Sequence, residues 1–377
     1  MTVMPLPLPD DRPDDAGALE RHVLPYLDQQ WAPTHASVTT RPRIGMVFGA
    51  GGVLGNAYLS GAAVALFEAT GFQPRSASVL VGTSAGSVHA ALYGAGLPAH
   101  FGLWRTLGGR LPAELLAGDD DPDPGESQTL RDIFTPARAL PRIGPQGRRL
   151  ALKAMVKPWS LRPEVALTAF LPEGMFTNAA IGAALRRVVP TGWAPHPRTW
   201  ITGLNLRTGE RTVFGRPGSP RAHLDRAVRA SCAIPGLYRP IKIGRDRYVD
   251  GGMHSPTNAD VLADLELDLV VVISPMSSLE GHAAAGFVDR YLYPLRRVAE
   301  RRLAAELRTL AERGLPTIVL QPTARDLAVF SSNLMDSRPR RLVAQTAVET
   351  TAELLTRPEF ATAVATLSLA ARAVRSA

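Results

Sequence analysis

The chain is poor in the residues that staple a fold or carry it through a membrane. Cys232 is its single cysteine, so neither an intramolecular disulfide framework nor a cysteine-rich zinc site can be built. No run approaches the ~18 uninterrupted apolar residues of a bilayer-spanning helix. The start, Met1 to Pro13, is proline-rich and carries Asp10 and Asp11, where a secretory leader would be basic and then apolar. The expectation is a protein without an export signal, cytoplasmic and at most peripherally attached to a membrane. Lysine is nearly missing as well. Lys153, Lys157 and Lys242 are the only three, so arginine carries almost all of the excess of 42 basic over 34 acidic residues. A balance of that sign favours acidic partners, phospholipid head groups or nucleic acid.

What the chain does have is apolar material. Hydrophobic residues make up 45% of its 377 positions and charged residues 20%, enough for a large core, which excludes a wholly disordered chain. Residues 1–42 read as an extension with one helix, about 16–31, where Leu19, Val23, Leu24 and Leu27 recur at helical spacing. From Arg43 the pattern changes. Ile44 to Phe48 is a short buried strand that runs into Gly49-Ala50-Gly51-Gly52-Val53-Leu54-Gly55, and a helix follows to about Thr70. A second strand, Ser78 to Val81, runs into Gly82-Thr83-Ser84-Ala85-Gly86 and another small-residue helix. Strand, glycine turn and helix twice in succession is the α/β signature, a parallel sheet with helices on its faces. Residues 98–175 interrupt the rhythm and read as an inserted cap. They hold the acidic run Asp119–Asp123 and then a basic stretch over 126–162 mixed with Ile133, Phe134, Leu150, Leu152, Met155, Val156 and Trp159. Such a mix suits peripheral contact with an anionic membrane and equally a folded lid with a solvated basic face. Strands and helices resume over 179–335, and a helix pair over 336–377 closes the chain on the same domain.

The sharpest chemical signal is Gly82-Thr83-Ser84-Ala85-Gly86, a G-x-S-x-G between strand and helix. A nucleophile elbow needs a strained turn that lifts the serine hydroxyl, and flanking glycines remove the Cβ atoms that would clash there. A hydroxyl is a weak nucleophile at neutral pH and needs a base. Three downstream residues are candidates: Asp250, His254 and His282. Asp250 follows Arg247-Tyr248-Val249 and precedes Gly251-Gly252, a strand end opening into a tight turn; His254 and His282 would belong to a Ser-His-Asp esterase. The loop Gly51-Gly52 offers unhindered backbone N–H groups to an oxyanion or a phosphate. A dinucleotide fingerprint would need glycine where Leu54 stands, and no Gly-Lys-Ser/Thr follows, so an oxyanion hole is the better reading. The acidic run does not match a calcium loop, which would need glycine and glutamate where Pro124 and Leu130 stand.

Taken in order, the glycine-rich loop, G-x-S-x-G, Ala230-Ser231-Cys232-Ala233-Ile234-Pro235 and Asp250-Gly251-Gly252 followed by Pro256 resemble the patatin-like phospholipases, over about residues 43–275. The resemblance implies a three-layer α/β fold with a mostly parallel central sheet, helices on both faces and an inserted helical cap. It implies a serine lipid acyl hydrolase working through a Ser84–Asp250 dyad and an acyl-enzyme. The Gly51 and Gly52 N–H groups would form the oxyanion hole, with no metal and no cofactor. Its partner would be a phospholipid or other lipid ester, with no nucleic acid. Two positions depart from the family pattern: the first of three loop glycines is Ala50, and the usual basic residue of that loop is Leu54. Arg43 or an arginine of the cap is the expected substitute for the missing cation. A Ser-His-Asp carboxylesterase and a non-catalytic lipid-binding protein with a degenerate site are the alternatives.

Overall fold

The computed structural model describes residues 41–110, 125–137, 146–190, 192–278 and 289–375. The helix expected over 16–31, the acidic run Asp119–Asp123 and His282 lie outside the described residues. The strands are Ile44–Phe48 (β1), Val79–Gly82 (β2), Thr135–Pro136 (β3), Phe176–Thr177 (β4), Thr199–Asn205 (β5), Arg211–Phe214 (β6), Ile241–Ile243 (β7), Asp246–Asp250 (β8), Leu269–Ile273 (β9) and Thr317–Leu320 (β10). Eight of them form one sheet in the order β10-β9-β1-β2-β5-β8-β7, with β6 also paired to β5; β3 and β4 make a separate ribbon. From β10 to β5 the strands run parallel, whereas β6 and β8 lie antiparallel to β5. The mostly parallel central sheet expected from the sequence is present, with its antiparallel pairings gathered at the end that holds β6, β8 and β7.

Alternation along the strands explains the layering. Ile44, Met46 and Phe48 of β1 face one core with Leu269, Val271 and Ile273 of β9, while Val47, Val270 and Val272 face a second. Both faces are covered, so the sequence shows continuous aliphatic runs rather than a polar alternation. The first core is roofed by helices Gly52–Thr70 (α1), Ala85–Gly94 (α2), Leu224–Ser231, Arg340–Leu355 and Ala361–Arg375. The long helix Asp289–Glu312 covers the second core through Leu303 and Leu310.

Ala99–Thr106 (α3) is buried through Phe101, Leu103 and Trp104 and packs against α1, so the body continues past residue 98. Three helices follow within the expected cap: Gly125–Asp132 (α4), Arg148–Val156 (α5) and Pro163–Phe170 (α6). The last two rest on Leu204, Leu206 and Val249 at the antiparallel end of the sheet. Ala179–Val188 (α7) returns the chain to β5. Among the described residues no helix is long and apolar enough to cross a membrane.

The helix Arg340–Leu355 approaches α1 at Gly61, where a Cβ would stand 2.3 Å from the Ala344 carbonyl oxygen and 2.9 Å from the Ala347 Cβ. Alanine is worth about 1 kcal/mol over glycine inside a helix. Prising two helix backbones apart costs more, typically ~1–3 kcal/mol and here against rigid backbone. Gly61→Ala is therefore expected to lower the thermal midpoint, and Gly61→Val to lower it further, in calorimetric melts.

Candidate active site

Two neighbouring parallel strands, β1 and β2, end at the same sheet edge, and each turns straight into a helix. The glycine loop after β1 and the G-x-S-x-G turn after β2 are brought together by that pairing. The third element arrives from the antiparallel side. Gly82 pairs with Ile201 on β5, and Asp250 pairs with Gly203, two residues further along the same strand. Asp250 is thereby level with Ser84, two residues beyond Gly82. The outcome is a hydrogen bond: Ser84 Oγ donates to Asp250 Oδ2 at 2.7 Å, across 166 residues of chain. Both side chains are buried.

Ser84 occupies φ 52°, ψ −122°, a region that non-glycine residues rarely enter. Such a conformation costs about 1–3 kcal/mol and persists only where surroundings over-determine it. Here they do. The Ser84 N–H donates to Ser231 Oγ at 2.9 Å, and the Ser84 carbonyl accepts from Ser87 Oγ at 2.6 Å and from Cys232 Sγ at 3.3 Å. The elbow also needs its glycines. A Cβ at Gly86 would lie 1.9 Å from the Phe48 carbonyl oxygen, and one at Gly82 would lie 2.5 Å from the Gly86 carbonyl.

Asp250 accepts a second bond, from the Gly252 N–H to Oδ1 at 2.7 Å, while its own N–H donates to the Ala233 carbonyl. Burial away from water pushes its carboxyl up to about 7, against the opposing pull of the bonds from Ser84 and Gly252. The turn after it is held by Asn258, itself at φ 55°, whose Nδ2 donates to Thr83 Oγ1 at 3.1 Å and to the carbonyls of Gly251 and Ser255. Gly251 lies against Thr202, with no room for a Cβ, and Thr202 shares a hydroxyl contact of 2.8 Å with Thr83.

At the glycine loop, the N–H groups of Gly51 and Gly52 have no acceptor among the described residues. They sit at the start of the nineteen-residue α1, where the helix end carries a partial positive charge. Gly52 and Ser84 share one cavity, walled by Val88, Leu92, Phe101, Ile133, Leu185 and Val188, with Met335 at Gly52. Leu54 is fully buried in the core, and its N–H donates to the Leu334 carbonyl at 3.0 Å. Arg43 does not replace the missing cation. It precedes β1, at the opposite end of the strand from the loop, and its guanidinium pairs with Glu266.

The histidines divide from this cluster. His254 Nδ1 lies 3.3 Å from both Arg162 Nη1 and Asn258 Oδ1, accepting from the first or donating to the second according to its tautomer, and burial lowers its pKa to about 4, helped by Arg211 and Arg162. His89 lines the cavity as a neutral ring, lowered to about 4 by burial, with Nε2 donating to the Asn56 carbonyl at 3.2 Å. Neither has a hydrogen bond to Ser84. The Cys232 thiol is pushed up to about 12, first by burial and then by Asp250, which leaves it no thiolate character at neutral pH. Ser231, Asn258 and Met335 are the residues of the site that sequence reasoning missed as contributors. Ser231 alone carried a signal, since it stands in the motif that precedes Asp250.

The raised Asp250 pKa makes a stability prediction. An unfolded Asp titrates near 3.9. The stabilising effect of holding its proton is full below that value and is lost as pH rises through about 7. Asp250→Asn keeps the shape and never has to bury a charge, so it is expected to melt higher than the parent protein at pH 8. At pH 5 the difference should shrink towards zero; paired melts at the two pH values measure it.

No curated protein is similar enough to the chain to match it. The family model for patatin-like phospholipase, however, covers residues 46–263, a span that holds the glycine loop, the Ser84 elbow and Asp250-Gly251-Gly252. With well over half of its length inside that match, the chain belongs to the patatin-like phospholipase family.

Proposed function

We propose that the protein is a serine lipid acyl hydrolase of phospholipase A or lysophospholipase type, cleaving carboxylic esters through a Ser84–Asp250 dyad. The observation that carries this reading is the 2.7 Å hydrogen bond from Ser84 Oγ to Asp250 Oδ2 beside a cavity with apolar walls. An acyl chain in that cavity would be desolvated by Val88, Leu92 and Leu185, and its ester carbonyl would lie between Ser84 and the start of α1. Ser84 Oγ attacks the carbonyl carbon as its proton passes to Asp250. The tetrahedral oxyanion accepts hydrogen bonds from the Gly51 and Gly52 N–H groups, each worth ~3–4 kcal/mol by comparison with other hydrolases. Collapse of the intermediate expels the alcohol, which takes the proton from Asp250. In the second half, Asp250 removes a proton from water as it attacks the acyl-enzyme carbonyl, and the tetrahedral intermediate then collapses, releasing the fatty acid as Asp250 returns that proton to Ser84 Oγ.

A carboxylate serves as base here because its pKa sits near the operating pH. With Asp250 at about 7, activity requires its ionised form. For a soluble p-nitrophenyl ester, kcat/KM should therefore rise with pH through about 7 and level off above it, a profile read by stopped-time assays in constant ionic strength. Ser84→Ala and Asp250→Asn are each expected to lower turnover by about 10³-fold or more, and a fluorophosphonate probe should label the parent but not Ser84→Ala. His254→Ala should keep most of its activity. Undiminished turnover in Ser84→Ala or Asp250→Asn, or a comparable loss in His254→Ala, would overturn the dyad.

A further inference from the structure

We propose that α5, α6 and the turn between them form a docking surface for an anionic lipid bilayer. A helix lying on a protein body needs one apolar face. These two have a second. On α5, Leu150, Ala151 and Ala154 are buried against the sheet, and Leu152, Met155 and Val156 project from the opposite side, with Met155 64% exposed. On α6, Val165, Thr168 and Ala169 are buried, and Leu167 and Phe170 project from the other side. Trp159, in the turn, is 81% exposed. Of the ten large hydrophobic side chains exposed among the described residues, eight fall between Phe134 and Met175, so outward apolar surface is concentrated on this one part of the molecule.

Charge selects the occupant. Residues 148–163 contain Arg148, Arg149, Lys153, Lys157 and Arg162 and no acidic residue. Arg162 is committed to the His254 carbonyl, while the other four side chains are exposed and flank the apolar ridge of α5. A second copy docked through the same patch about a two-fold axis would bring these cations against themselves. An anionic bilayer neutralises them while it takes up the apolar ridge, with lysine stems lying along the acyl boundary and their ammonium groups in the head-group layer. The surface also leads towards the cavity. Phe134 is exposed and directly follows Ile133 of the cavity wall; its ring packs edge-on against Phe176, beside exposed Met175. The proposal rests on the lipid-hydrolase reading for its purpose, not for its physics.

The test uses the full chain carrying Ser84→Ala, to spare the lipid, sedimented with vesicles of phosphatidylcholine alone or with one-third phosphatidylglycerol. Binding is expected to the anionic vesicles and to weaken about tenfold or more at high salt or on neutral vesicles. Met155→Ser with Trp159→Ser, and separately Lys153→Glu with Lys157→Glu, should each cost about tenfold in vesicle affinity. Tryptophan emission should shift to the blue on anionic vesicles, and Trp159→Phe should abolish the shift. In the Ser84 background, the same cap variants should hydrolyse a soluble short-chain ester with unchanged kcat/KM. The proposal is overturned if the parent protein ignores anionic vesicles or if the cap variants bind as it does. It is equally overturned if the parent is a dimer in sedimentation equilibrium that Trp159→Ser dissolves. Failure of the hydrolase reading has a different signature: no protein cleaves the soluble ester, while vesicle binding and its dependence on the cap are intact.

Discussion

A carboxyl group kept from water, facing a single hydroxyl, is the arrangement on which the rest of this molecule depends. In water, an aspartate ionises near 3.9 and is too weak a base to help a serine. Desolvation at Asp250 brings it to about 7, and on the proposed reading of the site that value balances proton affinity against charged fraction for work at neutral pH. Histidine is the usual way to have a base with that affinity, and the histidines near this site are instead pushed down to about 4 and bonded to other groups. On that reading burial itself supplies the base, and everything around Asp250 has to maintain it.

That requirement explains the polar network beneath the turn. Asn258 in a left-handed conformation, Thr83, Thr202 and the Gly251 carbonyl satisfy one another without solvent. Further back, the buried Glu306 of the long helix accepts from Thr257 Oγ1 and from the Ala259 N–H, tying the loop after Asp250 to the second face of the sheet. Burial raises the Glu306 carboxyl as well, so two acidic groups in this region are held against their preference for water. A network of this kind is worth keeping only if complete, since each orphaned buried polar atom costs about 1–3 kcal/mol. The cap joins in at one point: Arg162 at the start of α6 donates to the His254 carbonyl, four residues past Asp250.

Much of this was legible in the amino-acid order, and the reasons are local. Gly82 to Gly86 is readable because strand, strained turn and helix follow one another without a gap, and the glycines are forced by backbone contacts within a few residues. The neighbouring placement of the glycine loop follows from two consecutive strand–turn–helix units. Asp250 is readable as a strand end opening on two glycines. Ser231 is marked by the motif it stands in, though the bond its hydroxyl accepts from the Ser84 N–H is not. Asn258 and Met335 act on the site from outside its motifs, and nothing in their immediate surroundings marks them. Arg43 was misjudged for the same reason: adjacency to β1 says nothing about which end of the strand a side chain serves, and this one is spent on Glu266. The mostly parallel sheet is legible in the βαβ rhythm that opens it; the antiparallel run of β8 that delivers Asp250 is not, because its direction is set by distant pairing with β5.

That antiparallel delivery has a consequence for which parts of the chain can vary in length. Side chains alternate across a strand, so inserting or deleting one residue within β8 ahead of Asp250, against a fixed pairing with β5, would swing the carboxylate to the other face of the sheet. The stretch between the elbow and β5 is under no such parity. It leaves the sheet edge, builds the cap and returns, and away from the helices that wall the cavity a longer or shorter connection changes mainly how much chain must be closed, a cost that grows slowly with length. Diversification of this architecture should accordingly be sought in the cap, with the run into Asp250 holding its count.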